Sequence, residues 1–384
     1  MIQDTTEFNY PRERPERIGF IKSVNSGWDK AGRVRHHTLC GILMHSCLAV
    51  TADGLALGLP AVKFWTRKKF KGTAQLKKHV NLTRLPIEQK ESVRWLDTLK
   101  QSIALLGDPA RCVHVADRES GIFELYCLTQ ELGTHFVVRA CVDRLAGDGD
   151  HTIAAEMENA GVRGLHTIEI RNGKGKPENI TLEIRFRRIH VLPPIGKQKR
   201  YPPLDLTVIH VTERGAPKGR KPIEWKLITD LKVTSRAEAI EKVNWYAMRW
   251  KIEVFHKILK SGCRADESKL RTAPRLANLI SVYCIIGWRV LWLTTLNRTD
   301  PHVPPDLALT KVEIHLLDRI VKDTGNQNRK PGTLSFCLTK LARLGGYLAR
   351  NKDPPPGNQV IWKGLTRLND ITLGAETVME EICG

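Results

Sequence analysis

Three carboxylates mark the chemistry this sequence could do: Asp4 in the opening MIQDTT, Asp117 closing the run RCVHVAD, and Glu253 inside WYAMRWKIEVFHKILK, residues 245–260. Asp4 and Asp117 each follow a strand-like run, and Glu253 stands on a helix. Hard divalent cations are bound by carboxylate oxygens. Two such ions roughly 3.5–4 Å apart can clamp the attacking and leaving oxygens of a phosphodiester. Three carboxylates meeting without a counter-charge would repel one another, so their convergence calls for metal or for protonation.

The stretch around Glu253 contains neither Gly nor Pro and predicts one continuous helix from Trp245 to Lys260. Met248, Ile252, Phe255 and Leu259 recur at helical spacing as a buried face, and Tyr246, Arg249, Glu253, His256 and Lys260 recur as a second, polar stripe. Beside metal-bound carboxylates, Arg249 and Lys260 read as contacts to phosphate oxygens, and the Tyr246 hydroxyl as a further donor. The same spacing also describes a solvated face with an Arg249–Glu253 pair at i, i+4. Asp117 equally describes an N-cap for the helix that follows it.

The elements that must position these side chains read as a mixed α/β chain. Met1–Thr6 looks like the end of a strand running into a turn-rich basic loop, Tyr10–Arg35. Two apolar strands, Leu39–Val50 and Leu55–Trp65, meet at the hairpin signal Ala52-Asp53-Gly54. The cationic cluster at 66–80 fits a solvated loop or a DNA-facing one. An amphipathic helix, Ser92–Leu106, is closed by Gly107-Asp108-Pro109. Strand Arg111–Asp117, helix Ile122–Leu132 and strand His135–Val142 imply a parallel β-α-β unit, whose functional crevice lies at the carboxyl ends of its strands, where Asp117 sits.

From Leu165 to Thr212 the sequence alternates with period two, with a hairpin signal at Asn172-Gly173 and a basic outer face of Arg185, Arg187, Arg188, Lys197, Lys199, Arg200, Lys218, Arg220 and Lys221. A strand at Glu224–Thr229 returns to the first part of the fold, and Ser235-Arg236-Ala237-Glu238 forms a capping box. Helices follow at Leu276–Leu296, Leu307–Val321 and Leu334–Ala349, then a last segment at Val360–Leu368; their wide apolar faces suit packing or dimerisation.

Composition narrows the partners. The 384 residues carry 61 Lys and Arg against 41 Asp and Glu, a net charge of +20. A folded chain so basic points to a polyanion, nucleic acid first and an anionic membrane surface second. The nine scattered cysteines include no CxxC pair, which is the pattern of a reduced, intracellular protein without a disulfide framework or zinc finger. The N-terminal stretch lacks an apolar core and is no signal peptide. The apolar run Leu279–Leu296 is interrupted by Ser281, Gly287 and Arg289, so it is expected to be a core helix and not a membrane span.

The run Tyr246, Arg249, Glu253, Lys260, spaced Y-x2-R-x3-E-x6-K, resembles the Y-R-E-K signature of bacterial DDE transposases of the "insertion sequence four" group. The words IQDTT, VADRE, FVVR, EWKLIT, RWKIEVFHK and LARLGGYL, in that order along nearly the whole chain, are similar to those of its Tn-five-type members. The resemblance implies a ribonuclease-H-like mixed sheet with flanking helices. Its catalytic core would occupy 1–142 and 224–262, interrupted by a β-rich insertion at 143–223 and followed by a helical C-terminal dimerisation region at 263–384. It also implies two Mg2+ ions, replaceable by Mn2+, held by Asp4, Asp117 and Glu253.

The implied activity is cut-and-paste transposition: a water nicks the transposon end, the freed 3′-hydroxyl makes a hairpin, and the reopened end attacks target DNA. By position Tyr246, Arg249 and Lys260 would hold the phosphate near the cut. Trp225 would stack on a flipped base or else be a core tryptophan, and Arg139 and Lys257 are further phosphate candidates. His256 has no implied role. The partners would be double-stranded DNA and a second copy of the chain, in a bacterial cytoplasm at the nucleoid and away from membranes. Such transposases carry a DNA-reading domain ahead of the first catalytic strand. Only three residues precede Asp4, so a truncated or mis-started frame is expected, with recognition of the transposon ends lost. Two other readings stand beside this one: a non-catalytic DNA-binding remnant or dimerising inhibitor, and a metal nuclease without strand transfer.

Overall fold

The structure, a computed structural model, describes residues 1–29, 31–68, 85–171, 177–215, 219–322, 330–350 and 353–383. The turn expected at Asn172-Gly173, Lys218 and most of the cationic cluster at 66–80 lie outside the described residues. The fold is mixed α/β, built on one large sheet. Its first strands are β1 (Ile2–Asn9), β2 (Phe20–Trp28), β3 (Val34–Val50) and β4 (Ala56–Trp65). After helix α1 (Val93–Leu106) come β5 (Val113–Ala116), α2 (Phe123–Glu131) and β6 (His135–Arg139).

β1 runs antiparallel to β3, from Ile2 opposite Leu48 to Asn9 opposite Gly41, and β4 flanks β3. On its other side β1 is parallel to β5, and β5 is parallel to β6. This confirms the β-α-β unit and the β3–β4 hairpin. The hairpin turn closes with Gly54 N–H donating to Thr51 O at 2.9 Å, Gly54 lying at φ +89° where a side chain would be strained. Two expectations at the N-terminus change. β1 continues past Asp4 to Asn9, so Asp4 lies within a strand, and the Tyr10–Arg35 loop contains β2, paired with the first half of β3. Period-two reading missed β2 because its residues after Ile21 are largely exposed.

The sheet continues beyond β6 through β12 (Glu224–Thr229), β11 (Leu204–Glu213), β10 (Pro177–Val191) and β9 (Gly164–Arg171), all antiparallel. Two short strands, β7 (Leu145–Ala146) and β8 (His151–Thr152), edge β10 and lead into helix α3 (Ile153–Glu158). The residues expected to form an insertion therefore extend the same sheet.

Alternate residues of the central strands feed two cores, one on each face. Val115, Val137 and Leu227 join Ile2, Met44, Ile252, Phe255 and Leu259 on one face, while Ala116, Val138 and Ile228 join Trp95, Phe123 and Tyr126 on the other. Because both faces are covered, β6 reads as a continuous apolar run, Phe136-Val137-Val138, with no exposed surface.

The chain then becomes helical: α4 (Arg236–Ala247), α5 (Trp250–Lys257), α6 (Ala273–Thr299), α7 (Lys311–Ile320), α8 (Leu334–Leu344) and α9 (Asn358–Cys383). The capping box is present: Glu238 N–H donates to Ser235 Oγ at 3.2 Å and the Glu238 carboxylate accepts from Ser235 N–H at 3.2 Å. α6 is long and apolar enough to cross a membrane, but half of its apolar window is buried inside the protein, where Leu276, Ile280, Cys284 and Leu293 join the core. α8 and α9 cross at glycines: a Cβ on Gly364 would lie 2.0 Å from Leu341 O, and one on Gly345 would lie 1.9 Å from Val360 O.

The continuous helix expected from Trp245 to Lys260 is broken. α4 stops at Ala247, Met248 and Arg249 form a turn, and a π-helical turn, Ile258–Gly262, follows α5. Arg249 N–H bonds back to Tyr246 O at 3.0 Å and Ile252 N–H to Arg249 O at 3.2 Å, a three-residue spacing that tightens the chain between the two α-helices.

Candidate active site

Asp4 lies opposite Ser46 of β3, while Ile2 pairs in parallel with Val115 of β5. Two residues further along each of these neighbouring strands come Asp4 and Asp117. Parallel register turns both toward one face of the sheet, with the strands about 4.8 Å apart. That face is covered by α5, which carries Glu253 and packs on β1 through Ile252 and Phe255. Asp117 is still extended, at ψ −165°, as the chain leaves β5.

The electrostatics report this convergence. Burial first, and then the charges of Asp117 and Glu253, push the Asp4 carboxyl up to about 6, against the Thr5 N–H and Arg249, which favour its ionised form. Even so, among the described residues no group of three His, Cys, Asp and Glu side chains is poised to hold a metal ion as it stands. The backbone gathers the carboxylates, but each is engaged locally. Asp4 Oδ1 accepts from Thr5 N–H at 2.8 Å and Asp117 Oδ1 from Glu119 N–H at 2.9 Å, and Glu253 pairs with Arg249 at 2.6 Å. The two bland expectations, a cap at Asp117 and an i, i+4 pair at Glu253, are thus present in the geometry. Each takes only part of a carboxylate's acceptor capacity.

Arg249 stands in the break between α4 and α5. Burial works against its charge, but the hydrogen bond and charge of Glu253, with Tyr246 and Asp4, hold its pKa above the ordinary value. Tyr246 is buried at the end of α4, its ring edge-on to half-buried Trp225 of β12 at 5.2 Å. Tyr246, Arg249, Glu253, Asp4 and Asp117 therefore share one region, with Trp225 beside it.

The remaining candidates lie apart. Lys260 is in the π-helical turn, seven residues beyond Glu253 and so about 10 Å along the axis. Its ammonium lies 5.6 Å from the Phe8 ring centroid, and burial lowers its pKa while Glu7 and Asp266 oppose that. Arg139 braces β6 to β12 by donating to Glu224 O at 2.7 Å. Lys257 points to solvent. His256 is buried and bonded to Ser46 Oγ at 2.8 Å, and burial pushes its pKa down to about 3, so it is neutral and structural. Tyr246 and His256 contradict the expectation of a solvated polar stripe: the stripe faces the sheet.

Sequence reading passed over a buried polar chain on the opposite face of β1. Gln3 contacts His114 Nδ1 at 3.2 Å and His45 Nε2 at 3.3 Å, and Thr5 Oγ1 contacts His45 Nδ1 at 2.9 Å. Arg94 of α1 donates from Nε to Thr5 Oγ1 at 3.1 Å. Gln3, Thr5 and Glu119 fall inside the motif words, which assign them no role. Two histidines within apolar strands were a readable signal of buried polar partners, but Arg94 carried none.

The basic outer face expected between Arg185 and Lys221 is partly neutralised. Arg187 pairs with Glu156 at 2.8 Å, Arg220 with Glu213 at 2.6 Å and Arg200 with Glu88 at 3.3 Å, and Lys197 pairs with buried Glu124. Compared with known protein families, the chain matches no family model.

Proposed function

We propose that this chain cuts and joins DNA as a DDE transposase with a ribonuclease-H-like core, acting through Asp4, Asp117 and Glu253. One observation carries the reading. Parallel register turns Asp4 of β1 and Asp117 at the end of β5 to the sheet face that α5 covers with Glu253, and burial, with the charges of Asp117 and Glu253 adding to it, raises the Asp4 pKa to about 6, beside Arg249, in a chain of net charge +20. A mixed sheet with β1 antiparallel to β3 and parallel to β5 supports the same reading.

The donor chemistry suits Mg2+, although the three carboxylates are not gathered to ligand distance as they stand. All three donors are hard carboxylate oxygens, and the nearby imidazole, His256, is buried and bonded to Ser46. Asp4, Asp117 and Glu253 would hold the ions, which when bound supply Lewis acidity toward the phosphodiester. The other steps belong to the chain. Thr5 and Glu119 orient two of the carboxylates through their N–H groups. Arg249, charged at any working pH, exchanges part of its contact with Glu253 for a phosphate oxygen. Trp225, half-buried and braced by Tyr246, would stack on an unstacked base. Pairing of two copies through the helical region from α6 to α9 belongs to the same proposal.

The test uses the full chain, Mg2+ and DNA carrying the ends of its own element. Nicked, hairpin and target-joined products are expected, and Asp4→Asn, Asp117→Asn and Glu253→Gln should each abolish them. Cleavage that survives all three substitutions would remove the assignment. Hydrolysis without joining of precut ends would reduce the chain to a nuclease, and DNA binding without any cleavage would leave a non-catalytic remnant.

A further inference from the structure

Arg94 is bound on several sides. Its side chain is only 11% exposed, with the guanidinium carbon 5.5 Å from the Trp65 ring centroid and 5.6 Å from that of Trp95. Nη1 donates to Glu91 O at 3.0 Å, which anchors the group to the start of its own helix. Nε donates to Thr5 Oγ1 at 3.1 Å and Nη2 pairs with the Glu119 carboxylate at 2.5 Å. Thr5 and Glu119 are the two residues whose backbone N–H groups bond the Asp4 and Asp117 carboxylates. One planar cation thus grips the supporting residue of each strand carboxylate from beneath. The Thr5 hydroxyl is in turn held by buried His45, which fixes that end of the clamp, while the Glu119 side chain is 62% exposed.

We propose that Arg94 is the positioning residue that sets Asp4 and Asp117 at a common spacing for the cations, by clamping Thr5 and Glu119 with one guanidinium. This rests on the reading of the carboxylates as a divalent-cation site. A planar fork of N–H donors fixes the direction to both partners at once, which the freely rotating donors of a single ammonium do not. Groups that orient metal-binding side chains typically change metal affinity by about 10–100-fold when removed.

The experiment titrates Mn2+ into the full chain without DNA, reading free ion by electron paramagnetic resonance, and records thermal melting of each protein alongside. Arg94→Ala is expected to weaken Mn2+ binding at least about tenfold, with Arg94→Lys intermediate. Glu119→Gln keeps the side-chain volume and cuts only the ion pair, so it serves if Arg94→Ala does not fold; a several-fold loss is expected. Folded Arg94→Ala or Glu119→Gln binding Mn2+ as tightly as the unaltered protein would overturn the clamp while leaving the metal site intact. Two results would remove the reading beneath the clamp and the clamp with it: no Mn2+ bound by the unaltered protein, or binding that survives Asp4→Asn, Asp117→Asn and Glu253→Gln.

Discussion

Asp4→Asn should stabilise this protein, and by an amount that depends on pH. The ordinary aspartate value of 3.8 is raised to about 6 in the fold, first by burial and then by Asp117 and Glu253. At about 1.36 kcal/mol per tenfold change in proton affinity, that gap corresponds to at most about 3 kcal/mol. The sign follows from linkage: the folded state holds the proton more tightly than the unfolded one, so the benefit is complete below 3.8 and is lost as pH rises through about 6. Near pH 8 the ionised carboxylate carries the whole cost. An asparagine oxygen can still accept from Thr5 N–H, so the substitution removes charge and little else. Urea unfolding, followed by the fluorescence of the nine tryptophans, should show the variant and the unaltered protein nearly level at about pH 4. The variant should lead by up to about 3 kcal/mol at about pH 8. Mg2+ at about a hundred times its dissociation constant should return about 2.7 kcal/mol to the unaltered protein and none to the variant. A variant less stable at pH 8, or a difference that does not move with pH, would refute the argument that the fold holds the ionised Asp4 carboxylate at a cost.

Other consequences follow from single contacts. Arg249→Gln frees Glu253 from its 2.6 Å ion pair and removes a positive charge beside the carboxylates; Mn2+ affinity without DNA should rise several-fold by equilibrium titration, and an unchanged value would deny that Arg249 competes for Glu253. Gly364→Ala forces a Cβ against Leu341 O, backbone that cannot move aside, and should cost about 2 kcal/mol or more, whereas Gly374→Ala on the same helix meets nothing within 4 Å and should gain up to about 1 kcal/mol, both by thermal melting. Ser235→Ala breaks the capping box of α4 and should cost about 1 kcal/mol by urea unfolding, with no loss expected if the Glu238 side chain alone carries the cap.

Most elements were legible because local chemistry wrote them plainly. Glu224–Thr229, the β5-α2-β6 unit, the hairpin at Gly54 and the cap at Ser235 were each marked by alternation, by turn residues or by hydroxyl–carboxylate spacing. The helix carrying Glu253 was legible as helix but not as a broken one, since every residue from Trp245 to Lys260 tolerates helical geometry. The break at Met248–Arg249 belongs to packing: Ile252 and Phe255 enter the core from α5 while Val243 and Tyr246 enter the same core from α4. Asp117 stands at a strand end and Glu253 on a helix, as their neighbours in sequence indicate, whereas Asp4 lies within β1 and not at its end. Arg94 was not legible, because its partners Thr5 and Glu119 are 89 and 25 residues away in sequence and meet it only when β1 and β5 pair.

Charge is where sequence and structure differ most in consequence for DNA binding. A total of +20 invites the inference that the whole basic face between Arg185 and Lys221 binds phosphate. A cation already paired with a carboxylate releases no counterion when DNA arrives, so it adds little to the salt dependence of binding. Arg187 with Glu156 and Arg220 with Glu213 are such cations. Arg249 differs: its partner Glu253 is the group that would be taken over by metal. With Mg2+ present, Arg249→Gln should lower the slope of log affinity against log salt concentration by about 0.9, the value for one phosphate contact on duplex DNA. Arg187→Gln and Arg220→Gln should leave the slope within experimental scatter. Fluorescence anisotropy over a series of salt concentrations measures all three, and equal losses of slope would mean that net charge, and not the placement of Arg249, governs how this protein meets DNA.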